Sequence, residues 1–87
     1  MVQLVYDEAK RLQNIAKHGY DFALLRPEFF LSAVVLGAHS GRRKAIGEVD
    51  GQVVITVVHA VLGTEAISIV SMRPASRKER ATYARIA

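Results

Sequence analysis

Arg43-Lys44-Ala45-Ile46-Gly47-Glu48-Val49-Asp50-Gly51-Gln52-Val53-Val54-Ile55-Thr56-Val57-Val58-His59-Ala60-Val61 is the stretch whose reading decides the fold. Asp50-Gly51 accepts the positive φ angles of a tight turn, so Arg43 to Val49 and Gln52 to Val61 read as a hairpin. Val53 to Val58 is too apolar for a strand with one wet face. It predicts a central position covered by helices. Downstream, Gly63-Thr64 turns the chain into another strand, Glu65 to Met72. Upstream, Ser32 to Leu36 reads as a strand that runs into a loop from Gly37 to Gly41.

Further out, Val2 to Tyr6 reads as a short strand. Asp7 is an N-cap for a helix that Gly19 closes, with Lys17 and His18 in its last turn. At about 100° per residue, Ala9, Leu12, Ile15 and Ala16 share one face, which predicts the buried side of that helix. Asp21 caps a second helix through Phe22, Leu24, Leu25, Phe29 and Phe30, with a break or two short turns expected at Pro27. Ala75 or Ser76 opens a last, basic helix, and Glu79, three residues beyond Ser76, stands in capping-box position. The expected fold is α+β, one sheet and one helical layer: a small antiparallel sheet of three to four strands packed against two N-terminal helices, with a basic C-terminal helix. One domain, 1–87, is expected.

The chain has 87 residues, 51% of them hydrophobic, which suffices for a core and argues against disorder. The absence of cysteine excludes disulfides, a thiolate nucleophile and cysteine-based zinc sites. No apolar run approaches the roughly 18 residues of a membrane helix, and the polar start does not read as a signal peptide. A soluble cytoplasmic protein is expected. The net charge is +4, and its location says more than its total. Residues 1 to 72 hold seven basic and seven acidic side chains, which cancel. Residues 73 to 87 hold Arg73, Arg77, Lys78, Arg80 and Arg85 against Glu79 alone. A second basic knot is Arg42-Arg43-Lys44, and no Lys or Arg lies between Ala45 and Met72. Charge segregated in this way points to an anionic partner.

Asp7, Lys10, Asn14, Lys17 and His18 form a polar stripe opposite the predicted apolar face of the first helix. Read alone, that stripe is an ordinary solvated face, except that Asn14 is a poor helix former with no capping role at its position. It reads better as a hydrogen-bonding post. Each other group also has two readings. His18 is a helix-end cap or a proton-transfer group. His59 is a core histidine or a site residue, and Tyr83 packs or stacks. Arg77, Lys78 and Arg80 line a solvated face or hold phosphates.

Asp7-x-x-Lys10-x-x-x-Asn14-x-x-Lys17-His18-Gly19-x-x-Phe22 resembles the N-terminal signature of the BrnT family of toxins from bacterial type II toxin–antitoxin pairs. Ser71-Met72-Arg73-x-Ala75-Ser76-x-x-Glu79-Arg80-x-x-Tyr83 resembles its C-terminal signature, and Arg42, Gly47 and Val57-Val58-His59 agree between them. The resemblance implies a RelE/ParE-like toxin fold and RNA cleavage that arrests translation. It also implies a DNA-binding antitoxin partner, in a heterotetramer with the toxin. No cofactor is implied, and no metal.

RNA transesterification needs the 2′-hydroxyl deprotonated, the phosphorane's charge stabilised and the 5′-oxygen protonated. Arginine or lysine can supply the charge and histidine the proton transfers. Arginine's planar fork holds two phosphate oxygens at once. The candidate catalytic set is Lys17, His18, Arg42, Arg73 and His59. Lys10, Asn14, Arg43, Arg77, Arg80 and Tyr83 are the candidate RNA-binding set.

The chain departs from the family pattern where charge is expected. His39-Ser40-Gly41 stands where a Glu usually precedes the arginine matched by Arg42, and Leu62 and Ser68 stand where arginines are common. Each lost phosphate-facing arginine removes a factor of roughly 10² in rate. Two further readings therefore stand beside a slow ribonuclease toxin. One is a catalytically degenerate toxin fold that binds nucleic acid or antitoxin. The other is a plain interaction domain whose basic tail meets an acidic protein.

Overall fold

The computed structural model describes residues 2–51 and 53–87; Gln52, expected to open the second hairpin strand, lies outside the described residues. The elements are β1 (Gln3–Val5), α1 (Glu8–His18), a 3₁₀ turn (Phe22–Leu24) and α2 (Phe29–Ser32). They continue with β2 (Val34–Gly37), a second 3₁₀ turn (His39–Gly41), β3 (Arg43–Val49), β4 (Val53–Leu62), β5 (Ala66–Pro74) and α3 (Arg77–Ile86). The five strands form one sheet in the order β1-β5-β4-β3-β2. β1 runs parallel to β5 and the other pairings are antiparallel, so the sheet is mixed.

This corrects the expected architecture in three respects. Among the described residues there are five strands rather than three to four, because the three-residue β1 joins the sheet beside β5, more than sixty positions away in sequence. The second N-terminal helix is not continuous: it divides around Pro27 into a 3₁₀ turn and the short α2. Asp21 caps only the 3₁₀ turn, through Ala23 N–H at 2.8 Å, Leu25 is extended, and the four-residue α2 follows Pro27. Nor is there one helical layer. Phe22, Leu25, Ala45, Ile55, Val57, Ile69 and Met72 form the core on the α1 and α2 side, whereas α3 packs on β3 from the other side. Ile46 and Thr56, fully buried, alternate with those core residues and so point towards α3.

Local signals explain most elements. The Asp7 carboxylate accepts from Ala9 N–H at 2.7 Å, and Gly19 at φ 78° takes the left-handed residue that ends α1. The Ser76 hydroxyl and Glu79 carboxylate exchange bonds with each other's backbone N–H in a full capping box. The buried stripe of α1 is not the one that periodicity predicts. Leu12 is 56% exposed and Ala9 and Ala16 face water, while Asn14 is 6% exposed. Its carboxamide docks on β5, donating to Met72 O at 2.9 Å and accepting from Met72 N–H at 3.1 Å. Those bonds, with an Arg11–Asp21 ion pair at 2.7 Å, turn the helix away from its apolar face.

Candidate nucleic-acid interface

β5 contains a bulge opposite Val58 and His59. Val58 pairs with Ser71 and His59 with Ile69, leaving Val70 as the extra residue. Side chains alternate along a strand, so one extra residue reverses the faces beyond it. Ile69 and Met72 therefore both enter the core, while Ser71 and Arg73 point to the α3 side. Without Val70, the phase that puts Ile69 in the core would carry Arg73 there as well.

On the α3 side, the pairings Ser71–Val58 and Val58–Lys44 make one row across three strands. Its ends are two strand spacings apart, roughly 10 Å. At the β5 end, Lys10, Gln13, Asn14, Lys17 and His18 of α1 border a shallow cleft of about 220 Å³ floored by Val70 and Ser71. At the β3 end, His39 and Lys44 share another cleft with Gly37 and Ala38. Arg42, exposed and extended, falls on the same side as Lys44 by alternation.

Glu79 ties this face together. Only 7% exposed, it receives Arg73 Nη1 at 2.8 Å and Nη2 at 2.9 Å, the Thr56 hydroxyl at 2.9 Å and Ser76 N–H at 2.9 Å. Lys44 Nζ stands 3.3 Å from Oε2, the oxygen that Arg73 Nη2 also reaches. The Arg73 guanidinium, with these donors, holds the Glu79 carboxyl far below its ordinary range, and Glu79 in turn raises Arg73. Three unit charges share the cluster, and one positive charge remains.

The candidate residues thus fall into separate groups. Lys10, Lys17 and His18 come together along α1. Arg42 and Arg73 lie on the same side of the sheet with Lys44. Arg77 and Arg80 are exposed on α3, with Arg80 Nε donating to Ala75 O at 3.2 Å, and Tyr83 is half-buried on that helix. His59 is not in this assembly. It is 3% exposed on the opposite face, its Nδ1–H donates to Val57 O at 3.2 Å, and its ring meets Phe30 edge-on at 5.0 Å. Burial pushes its pKa below the ordinary value. Arg43 pairs opposite it on that same face. Asn14 reaches the cleft, but its amide is engaged by Met72 and Tyr20.

Three residues of this face had no site role in the sequence reading: Glu79, Lys44 and Thr56. Glu79 is legible in sequence only as a cap. A single acid in a basic tail is the signal that could have marked it as an arginine's partner. A roomier cleft, about 530 Å³, lies elsewhere. Asp21, Glu48 and Asp50 line it against Arg26 alone, a charge balance that repels phosphate.

A small mixed sheet presenting lysine, arginine and histidine from α1, β3 and β5 defines an α+β module with a basic face. The family model described as "Ribonuclease toxin, BrnT, of type II toxin-antitoxin system" matches residues 6–79. Among solved structures, the chain is similar to the 1.1 Å crystal structure of the Brucella abortus ribonuclease toxin, BrnT. The two are 49% identical with a TM-score of 0.82, over 88% of this chain and 100% of that one. No curated protein sequence matches the chain. The chain belongs to the BrnT family of ribonuclease toxins of type II toxin–antitoxin systems, and membership implies an antitoxin partner.

Proposed function

We propose that this chain cuts RNA on the α3 side of its sheet, across the row Ser71–Val58–Lys44. The observation that carries the reading is the Val70 bulge, which turns Ser71 and Arg73 onto the face shared with Lys44. The scissile phosphate lies on that row. Lys17, Arg42 and Arg73 stabilise its added charge, and His18 exchanges a proton at the α1 border. Lys10, Arg77 and Arg80 hold the flanking backbone by charge, and Tyr83 lies beside them. No step calls for a metal. The chain acts in the cytoplasm and stops translation by destroying RNA. A small DNA-binding antitoxin, encoded beside it, covers the face in a heterotetramer.

Expression alone is expected to arrest growth and degrade total RNA, and co-expression with the neighbouring frame to prevent both. Healthy growth with intact RNA when the chain is expressed alone contradicts the reading. A second reading has its own support: Glu79 occupies the Arg73 fork, and Ala45 to Met72 carries no Lys or Arg. On that reading the face binds RNA without cutting it, and salt-sensitive binding of RNA that stays intact is its mark.

A further inference from the structure

We propose that His39 is a catalytic residue of this face, the group that takes the proton from the 2′-hydroxyl; the assignment rests on the ribonuclease reading above. The chain has three histidines. His59 is buried on the far face and His18 borders the row at α1, so His39 is the imidazole at the β3 border. It is exposed on its 3₁₀ turn and shares a shallow cleft of about 330 Å³ with Lys44. Lys44 Nζ lies 3.3 Å from the same Glu79 carboxylate that grips Arg73. His39 therefore adjoins Lys44, a cation that Glu79 holds together with Arg73, and there a phosphorane would find both a base and charge stabilisation.

The turn that carries His39 is held in place. Arg42 N–H donates to His39 O at 3.2 Å, and Ala38 N–H donates to Arg42 O at 2.9 Å. Ser40 sits at φ 61°, a left-handed conformation unfavourable for serine, and is followed by Gly41 at φ 73°. Strain of this kind persists where the surrounding structure fixes a geometry.

In the step proposed, the neutral His39 ring takes the 2′-hydroxyl proton while the 2′-oxygen bonds to the adjoining phosphorus. The P–O5′ bond breaks, and the 5′-oxygen leaves with a proton relayed through water from His18, which stands beyond the opposite end of the row. The products are a 2′,3′-cyclic phosphate and a 5′-hydroxyl, with nothing oxidised or reduced. Lys44 and the Arg73 N–H groups that Glu79 does not take face the added negative charge.

The test uses the purified full chain and an RNA, under single-turnover conditions. His39→Ala is expected to slow cleavage about 10²-fold or more, to leave RNA affinity within about threefold, and to regain part of its rate with added imidazole. A substrate with sulfur in place of the 5′-bridging oxygen leaves without a proton. It is expected to rescue His18→Ala and not His39→Ala. Equal rates for His39→Ala and the parent, a loss carried wholly by affinity, or sulfur rescue of His39→Ala each overturn the assignment. A parent chain that leaves the RNA intact is a different result: it overturns the ribonuclease reading and the assignment with it.

Discussion

One carboxamide, that of Asn14 on α1, holds both backbone polar groups of Met72 on β5, donating to its carbonyl at 2.9 Å and accepting from its N–H at 3.1 Å. β1 covers the outer edge of β5 only from Ala66 to Ser68. Asn14 occupies the same edge four residues further along, at Met72, and closes it there without a strand. Asn14→Ala leaves a buried N–H and C=O unpaired, with an expected cost of about 2–4 kcal/mol. Urea unfolding measures it. Asn14→Asp is expected to be no better, because the carboxylate keeps the acceptor but cannot donate to Met72 or Tyr20.

Gly47 faces the Phe29 ring so closely that an added Cβ would lie 2.8 Å from Cε1 and 3.0 Å from Cζ. Gly47→Ala is expected to push that ring off its seat on β3 and lower stability by about 1–3 kcal/mol. Gly37→Ala, with nothing within 4 Å, serves as the comparison. Thermal or urea unfolding of the two variants checks the difference.

Stability is expected to fall in two stages as pH drops. Burial pushes the His59 imidazole below its ordinary 6.5, Arg43 adds to that push, and the bond to Val57 O opposes it. Below pH 6.5 the unfolded chain therefore binds a proton that the folded chain refuses, and stability declines until the lowered folded value is passed. Glu79 acts from its ordinary 4.5 downward. Its folded pKa is depressed, so its contribution is complete above 4.5 and is lost as pH falls through the acid range. His59→Gln is expected to flatten the upper stage and Glu79→Gln the lower, in urea unfolding measured from pH 8 to 3 (roughly the range in which these groups titrate).

Arg73→Ala removes a phosphate-facing cation and leaves the nearly buried Glu79 with Lys44 as its ion-pair partner. RNA cleavage is expected to fall about 10²-fold or more. Arg73→Lys is expected to restore little, because one ammonium cannot span both carboxylate oxygens as the planar fork does. Initial cleavage rates of the two variants decide the point.

The central hairpin, both caps of α1, the capping box of α3 and the break at Pro27 were legible because each depends on neighbours in sequence. The partnership of β1 with β5, the opposite placement of α3 and the inward turn of Asn14 were not, because each depends on contacts between remote segments. The Val70 bulge was hidden for another reason. Ile69-Val70-Ser71-Met72 reads as plain apolar strand, and only pairing with β4 shows which residue is the extra one. That single residue decides whether Arg73 faces core or solvent. The basic face was legible in composition, but Glu79 was not legible as its organiser, since one acid can cap a helix and hold an arginine at once.

Incubating the purified chain with RNA in EDTA and mapping the product ends tests the proposed chemistry most directly. Cleavage to 2′,3′-cyclic phosphate and 5′-hydroxyl ends, abolished in the Lys44→Ala, Arg73→Ala double variant, is the predicted result. RNA left intact by the parent chain, or cut equally well by the double variant, would contradict it.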